Sequence, residues 1–334
     1  MTKKSKIWLC LVVIVALLLS ISCQKSKQSE QIPVVLADVI NIENALITVA
    51  TKNNLWAEEG IKLTRRSFSS GKEALEAMIS GQADIAVSAE TPFMWATFRG
   101  EEIRIIATLN KTVVKALARR DAGVIAPGDL KGKKVASFFG TSSDFWMDEL
   151  LQKNGMTRAD LRLTNLKPPE MVAAITRKPP DIDVFFAWEP HIVNALKEID
   201  EKNATIFTSE NMYTEYFNLS CRKTYLDKNS QTLKKVLRVL LKAELFLKSN
   251  ETQSQQIMAD FLSLDLGIIK NLWTENSYKV ELPNSLVNDF KREIKWALTT
   301  GMLPKSATEF VPEKVISSGI LNEVKPERVE IVTQ

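Results

Sequence analysis

A chain of 334 residues is longer than one hydrophobic core usually supports, so two domains are expected. Its 45% hydrophobic and 25% charged content excludes a largely disordered protein. The formal charge of +4 owes three lysines to the first 22 residues. Without them 41 basic residues face 40 acidic ones, and no basic tract interleaved with aromatics remains to hold nucleic acid.

The N-terminus is laid out as an export signal. Lys3, Lys4 and Lys6 precede the apolar run Ile7 to Leu19, which is short for a membrane-spanning helix of about 20 residues. A signal anchor is the alternative. Ser20-Ile21-Ser22-Cys23 resembles the lipobox of bacterial lipoproteins, with Ser20 where that pattern usually has Leu. The resemblance implies a signal peptide over 1–22, lipid attachment at Cys23, and a polar, flexible tether over 23–31. Of three cysteines, Cys10 then leaves with the signal and Cys23 is acylated. Cys221 is left alone, and no intramolecular disulfide forms.

The continuous apolar run Ile32 to Ala37 predicts a strand buried on both faces. The loop Asp38 to Asn44 leads into a helix carrying Leu46, Val49 and Ala50, closed by Leu55 and Trp56. After Gly60 comes a strand, Ile61 to Phe68, then Ser69-Ser70-Gly71 and a helix over Lys72 to Ile79. Asp84 to Val87 is a short strand before Ser88-Ala89-Glu90-Thr91-Pro92, where Pro92 suits the first position of a helix reaching Phe98. The strand Ile103 to Leu109 follows. This alternation predicts an α/β fold with a mostly parallel sheet.

Beyond Val113 to Ala118 the charged break Arg119-Arg120-Asp121 marks a domain crossing. Asp129 to Leu151 then holds a basic turn, a strand from Val135 to Phe139, the small-residue loop Gly140-Thr141-Ser142-Ser143, and a helix stopped by Gly155. Strands at Leu161 to Asn165 and Ile182 to Ala187 flank a helix around Glu170 to Thr176, and the second strand ends in Trp188-Glu189-Pro190. Thr205 to Thr208 and Phe217 to Ser220 are strand-like. The rest reads as helices, at Gln231 to Leu247, Ser254 to Leu262, Asp265 to Trp273 and Ser285 to Thr299, a tail without a site-like loop whose Trp and Met residues belong to the core.

Ligands of such sheets lie beyond the carboxyl ends of the strands. The candidate binding residues are therefore Asp38, Asn41 and Asn44; Ser70 and Gly71; Ser88, Glu90 and Thr91; Gly140, Thr141, Ser142 and Ser143; and Trp188 and Glu189. One such turn is an ordinary helix cap, with hydroxyls closing the first turn and glycine allowing close backbone approach. Recurrence of the pattern at several strand ends argues for a shared site.

Several segments resemble the solute-binding proteins of ABC importers for nitrate, alkanesulfonates, taurine and thiamine-precursor pyrimidines. They are Leu55 to Leu63 (LWAEEGIKL), Ala74 to Ala86 (ALEAMISGQADIA), Ala118 to Ala136 (ARRDAGVIAPGDLKGKKVA), Val184 to His191 (VFFAWEPH) and Leu282 to Leu303. The resemblance implies a two-lobed, periplasmic-binding-protein-like fold of type II with two crossings between the lobes. Lobe one would comprise 32–117 and 219–325, and lobe two 118–218. It further implies an extracytoplasmic monomer, partnered by a permease and an ATPase, that traps a small molecule in the cleft by hinge closure.

The chemistry of the cleft turns narrows the ligand. Helix N-termini at Gly71 and at Gly140 to Ser143 suit an anion, but Asp38, Glu43, Glu90, Asp144 and Glu189 oppose one. A zwitterion such as taurine, or an amino-bearing pyrimidine stacked on Trp188, fits better than a small bare anion. An enzyme is a competing class. The chain has one histidine, His191, and no HExxH, GxSxG, P-loop or Cys-Cys metal pattern, so neither cofactor nor metal is expected. Same-fold pyrimidine synthases and chorismate-dehydratase-like enzymes are the forms it would take. A sensory or surface lipoprotein without transport is the third reading.

Overall fold

The computed structural model describes residues 31–304, 311 and 314–331. The expectations for the signal, Cys23 and most of the tether lie outside the described residues. The chain opens with strand β1 (Ile32–Val39), buried along most of its length as its apolar run requires, and a single 3-10 turn at Ile42–Asn44. Helices α1 (Ala45–Lys52) and α2 (Leu55–Glu58) lead to β2 (Ile61–Phe68), whose alternating exposure marks an edge strand. Then come α3 (Gly71–Ile79), β3 (Ile85–Ser88), α4 (Glu90–Phe98) and β4 (Ile103–Thr112). Pro92 is the third residue of α4 rather than the first, a position where a missing N–H is equally harmless.

A second group follows: β5 (Lys115–Arg119), β6 (Lys134–Ser137), α5 (Ser142–Lys153), β7 (Arg162–Asn165), α6 (Pro168–Thr176), β8 (Val184–Ala187), α7 (His191–Ile199) and β9 (Ala204–Thr208). The chain returns through β10 (Glu215–Arg222) to α8 (Lys223–Ser249), α9 (Glu251–Leu262), α10 (Leu266–Trp273), β11 (Ser277–Glu281), α11 (Asn284–Thr299) and α12 (Gly319–Val324). The tail is not all helix. β11 is five residues between two helices, too short for its alternation to stand out in sequence.

The strands form two sheets, ordered β11-β4-β10-β3-β1-β2 and β7-β6-β8-β5-β9. In the first, β1 runs parallel to β2 and β3, whereas β10 is antiparallel to β3 and β4, and β11 to β4. In the second, β6 runs parallel to β7 and β8, and β5 is antiparallel to β8 and β9. Most strands therefore share a direction within each sheet, as expected, but the sheets are mixed. The exceptions include the crossing strands themselves. The chain passes from β4 into β5 and back from β9 into β10, and each arriving strand threads against its new neighbours.

Both sheets belong to one compact unit, Ile32–Gln334. A continuous apolar core runs from β1, β3 and β4 through Phe93, Phe145, Trp146 and Phe186 to Phe290 on α11. A smaller cluster fills the other side of the second sheet around Leu117, Phe185, Trp188 and Ile192. Burial on this scale is the dominant stabilising term, at about 25 cal/mol per Å² of apolar surface. Its effect here is to fix the strand ends, and hence the loops beyond them.

Candidate functional site

The loops that matter emerge where the sheets face one another. Asn41 and Glu43 follow β1, Gly71 opens α3 after β2, and Ser88 ends β3. Thr141 and Ser142 follow β6 at the start of α5, and Trp188 follows β8. β10 enters the first sheet antiparallel with Asn218 opposite Ser88, which places its beginning, Glu215 to Phe217, at the same edge. Gly71 is required by contact. A Cβ there would lie 2.7 Å from Ser88 Oγ and 2.9 Å from Ser88 Cα, so α3 reaches the end of β3 only because position 71 lacks a side chain.

Together these residues enclose a cavity of about 20 Å³ open to a water molecule's centre, lined by Asn41, Glu43, Gly71, Lys72, Ser88 and Ala89 with Pro92, Thr141, Ser142, Trp188, Glu215 and Phe217. It is small, with an apolar part of the wall from Ala89, Pro92, Trp188 and Phe217 beside its polar groups. Asn41 Oδ1, Glu43 Oε2 and Ser88 Oγ are buried and have no hydrogen-bond partner among the described residues. Native structures leave few such groups unpaired, and those that remain usually serve a ligand or water. A wider groove of about 610 Å³ lies between α5 and α11, lined by side chains such as Gln152, Lys295 and Thr299. The smaller cavity is the better candidate because strand ends of both sheets converge on it.

Electrostatics set this cavity apart. Burial pushes Glu215 up to about 7, against a hydrogen bond from Ser142 Oγ. Burial raises Glu43 well above the carboxylate range, and the Glu215 charge adds to it. The nearby cations are engaged elsewhere. Lys115 Nζ lies 3.0 Å from Glu189 and 2.7 Å from Glu275, while Lys72 Nζ donates to Phe139 O at 2.8 Å. Behind the cavity, Glu90 accepts hydrogen bonds from the Tyr213 hydroxyl and Tyr216 N, and Thr91 donates to Glu293. Burial holds Glu90 and Glu293 well above the usual range too.

Of the residues expected from sequence, Asn41, Gly71, Ser88, Thr141, Ser142 and Trp188 line the cavity. The others lie outside its wall, for identifiable reasons. Asp38 is paired with Arg65 at 2.5 Å and accepts from Ser67. Asn44 ties its amide to Val39 O, and Ser70 caps α3 through Glu73 N. Glu90 and Thr91 are held as described above. Gly140, with φ of +78°, borders a separate groove against Lys72 and Trp95. Ser143 is fully buried in the first turn of α5, and Glu189 is held by Lys115 and by Val193 N.

Lys72, Ala89, Pro92, Glu215 and Phe217 were missed, as was Glu43, which the sequence suggested only as part of an acidic surplus. Glu215 had a signal: a carboxylate opening the otherwise apolar and polar-neutral run EYFNLS, buried throughout. The tail gives no residue to the cavity wall, and its Trp296 belongs to the core as expected, but it supplies contacts to the second group of elements. Trp296 Nε1 donates to Asp148 Oδ2 at 2.8 Å and packs edge-on against Phe145 at 5.2 Å. Arg292 grips Glu149 through two nitrogens and donates to Met212 O at 2.7 Å. With Lys167–Glu73 at 2.5 Å, these contacts hold the second group of elements against the first.

The architecture defines a class, the two-lobed periplasmic-binding-protein-like fold of type II. The alkanesulfonate-binding protein from Xanthomonas axonopodis pv. citri bound to MOPS matches it with a TM-score of 0.74 at 18% identity, covering 86% of this chain and 100% of that one. The fold is not confined to binding proteins. The structure of a desulfurization enzyme matches with a TM-score of 0.62 at 13% identity, over 89% of this chain and 99% of that one. In sequence, the taurine-binding periplasmic protein of Escherichia coli is 25% identical over 265 residues, 75% of this chain and 79% of that protein. The NMT1/THI5-like family model matches residues 41–253, and the chain belongs to that family.

Proposed function

We propose that this chain is the extracytoplasmic solute-binding component of an ABC importer. It closes its lobes around a small polar organic solute and delivers it to a permease and ATPase pair. The observation that carries this reading is the cavity itself, whose wall is contributed by strand ends of both sheets. The kinship with a taurine-binding periplasmic protein supports it. The lobes exchange chain at 113–114 and 209–214, between the strands of the two sheets, a few residues before the boundaries at 118 and 219 read from the sequence. The solute is of the taurine or sulfonate kind or a thiamine-precursor pyrimidine, with an amino-bearing molecule favoured by the acidic wall.

The protein acts as an exported monomer anchored through Cys23, and it binds rather than catalyses. Its single histidine, His191, packs edge-on to Trp188 and is absent from the cavity wall, with burial pulling it down to about 4. Cys23→Ala releases the protein from membranes; continued dependence on detergent for extraction would refute the anchor. The binding role is tested by thermal shift on the full-length chain with taurine, alkanesulfonates, nitrate, bicarbonate and aminopyrimidines. A ligand at 100 times its Kd stabilises the fold by about 2.7 kcal/mol, a shift of several degrees. A flat panel favours the non-transport surface lipoprotein.

A further inference from the structure

We propose that Glu43 and Glu215 form the charge-recognising end of the cavity and take a positively charged N–H donor of the solute, an ammonium or amidinium group. This rests on the solute-binding reading and specifies which end of the solute is recognised here. The two carboxyls lie in the wall of one small cavity, and among the described residues neither is drawn into an ion pair. Lys72 in the same wall donates to Phe139 O, and Lys115, which acts on Glu43, is held by Glu189 and Glu275. Ser142 Oγ reaches Glu215 from the opposite lobe, which leaves Glu43 Oε2 among the unpartnered atoms, together with the carbonyl of Asn41 and the hydroxyl of Ser88. Glu43 is 2% exposed and Glu215 3%. Of the three unpaired oxygens around this cavity, Asn41 Oδ1 can only accept, Glu43 accepts with both oxygens once a cation lets it ionise, and the Ser88 hydroxyl can accept as well. This arrangement suits a group rich in N–H donors. A sulfonate, nitrate or carboxylate would supply only further acceptors.

The charges on neighbouring elements strengthen this assignment. Glu43 faces Glu215, Glu189, Lys115 and the Tyr278 hydroxyl, and Lys115 already bridges Glu189 and Glu275. The Glu215 charge also acts on Glu90, Glu293 and Tyr213. Buried carboxyls so placed share protons when nothing neutralises them, whereas a cation between them allows both to ionise and to form charge-assisted hydrogen bonds. Tyr278 offers Glu43 no donor, since its hydroxyl hydrogen goes to Ile42 O at 3.1 Å.

The test compares matched probes on the full-length chain and on Glu43→Gln and Glu215→Gln, which keep side-chain volume and an acceptor oxygen. The pairs are taurine against ethanesulfonate and 4-amino-2-methylpyrimidine against 2-methylpyrimidine, with ethylammonium alone as a minimal cation. Unliganded melting checks that each variant folds, and small-angle scattering reads lobe closure. The amine-bearing member of at least one pair binds the wild type tenfold or more tightly than its partner, and Glu43→Gln removes most of that preference. An equal preference in wild type and both variants overturns the subsite, as does the absence of any shift with every amine-bearing probe. Tight ethanesulfonate binding with closure also overturns the subsite but leaves the solute-binding reading standing. An amine preference that Glu43→Gln abolishes, with no closure on binding, supports the subsite and overturns the importer role.

Discussion

Replacing Glu215 with Gln tests the electrostatics of the cavity without any ligand. In the fold the carboxyl is raised from 4.5 to about 7, chiefly by burial. A carboxyl raised in this way favours the protonated folded state. Its contribution is complete below about 4.5 and is lost as pH rises through about 7. At 1.36 kcal/mol per pKa unit the loss between pH 5 and pH 8 is on the order of 2 kcal/mol, a few degrees in Tm for a chain of this size. His191 works in the opposite sense. Lowered from 6.5 to about 4, it contributes above 6.5, and that contribution is lost as pH falls through about 4. Both proteins carry His191, so subtracting their profiles removes it and leaves Glu215 together with its effect on the neighbouring carboxyls Glu43, Glu90 and Glu293. The assay is thermal melting of the unliganded full-length chain from pH 5 to pH 8.5, wild type against variant. Glu215→Gln keeps an oxygen for Ser142 Oγ and flattens the decline between about pH 4.5 and pH 7. Profiles that differ by a constant offset at every pH would refute the argument, because they would show that Glu215 ionises as easily in the fold as outside it.

Three further outcomes follow from the geometry. Gly71→Ala places a methyl against the backbone of Ser88, which overpacks the site by about 1–3 kcal/mol; it lowers Tm by a few degrees and ligand affinity tenfold or more, and an unchanged melting curve would show that α3 can move away at little cost. Trp188→Leu, chosen because Trp188 also packs in the second lobe's apolar cluster, weakens solute binding at least tenfold in calorimetry while the protein stays folded; unaltered affinity would return Trp188 to a packing role alone. Arg292→Ala removes a partly exposed inter-lobe pair worth about 1 kcal/mol, raising Kd no more than about fivefold, with a more open unliganded scattering profile; an unchanged profile would show that the Glu149 contact does not hold the lobes.

The sequence revealed the frame of this site better than its contents. Strands such as Ile32–Val39 and Ile61–Phe68 declare themselves because burial demands a continuous or alternating apolar pattern. The polar turns at Gly71, Ser88 and Thr141 stand out because small residues at strand ends break that pattern. What sequence could not reveal is which polar residues are already engaged. Asp38 and Glu189 look as available as Asn41 until Arg65 and Lys115 are seen beside them. Those partners come from other strands, and pairing across a sheet leaves no local trace. Glu215 was missed for the same reason. It reaches the cavity through the return crossing, a long-range contact that no periodicity encodes, and the α11 contacts to Glu149 and Asp148 are equally silent in the sequence.

If the chain binds a solute as proposed, the division of the cavity between lobes makes recognition and closure one event. Asn41, Glu43, Gly71, Ser88 and Glu215 stand on elements of the first sheet, whereas Thr141, Ser142 and Trp188 stand on the second. Residues of both lobes line the cavity that holds Glu43 and Glu215, so on the proposed reading part of their desolvation is incurred as the cleft closes. The inter-lobe contacts of Arg292, Trp296, Lys72 and Lys167 favour closure by modest amounts each, since most involve partly exposed groups. A solute that brings no positive charge adds its own binding energy but leaves two buried carboxyls to be protonated or repelled. A solute that supplies N–H donors offsets that cost in the closed state only, and such a differential interaction is what shifts a population between two conformations. Selectivity for the solute therefore need not reside in a tight first encounter with one open lobe; it can be read in how far each candidate drives the lobes together.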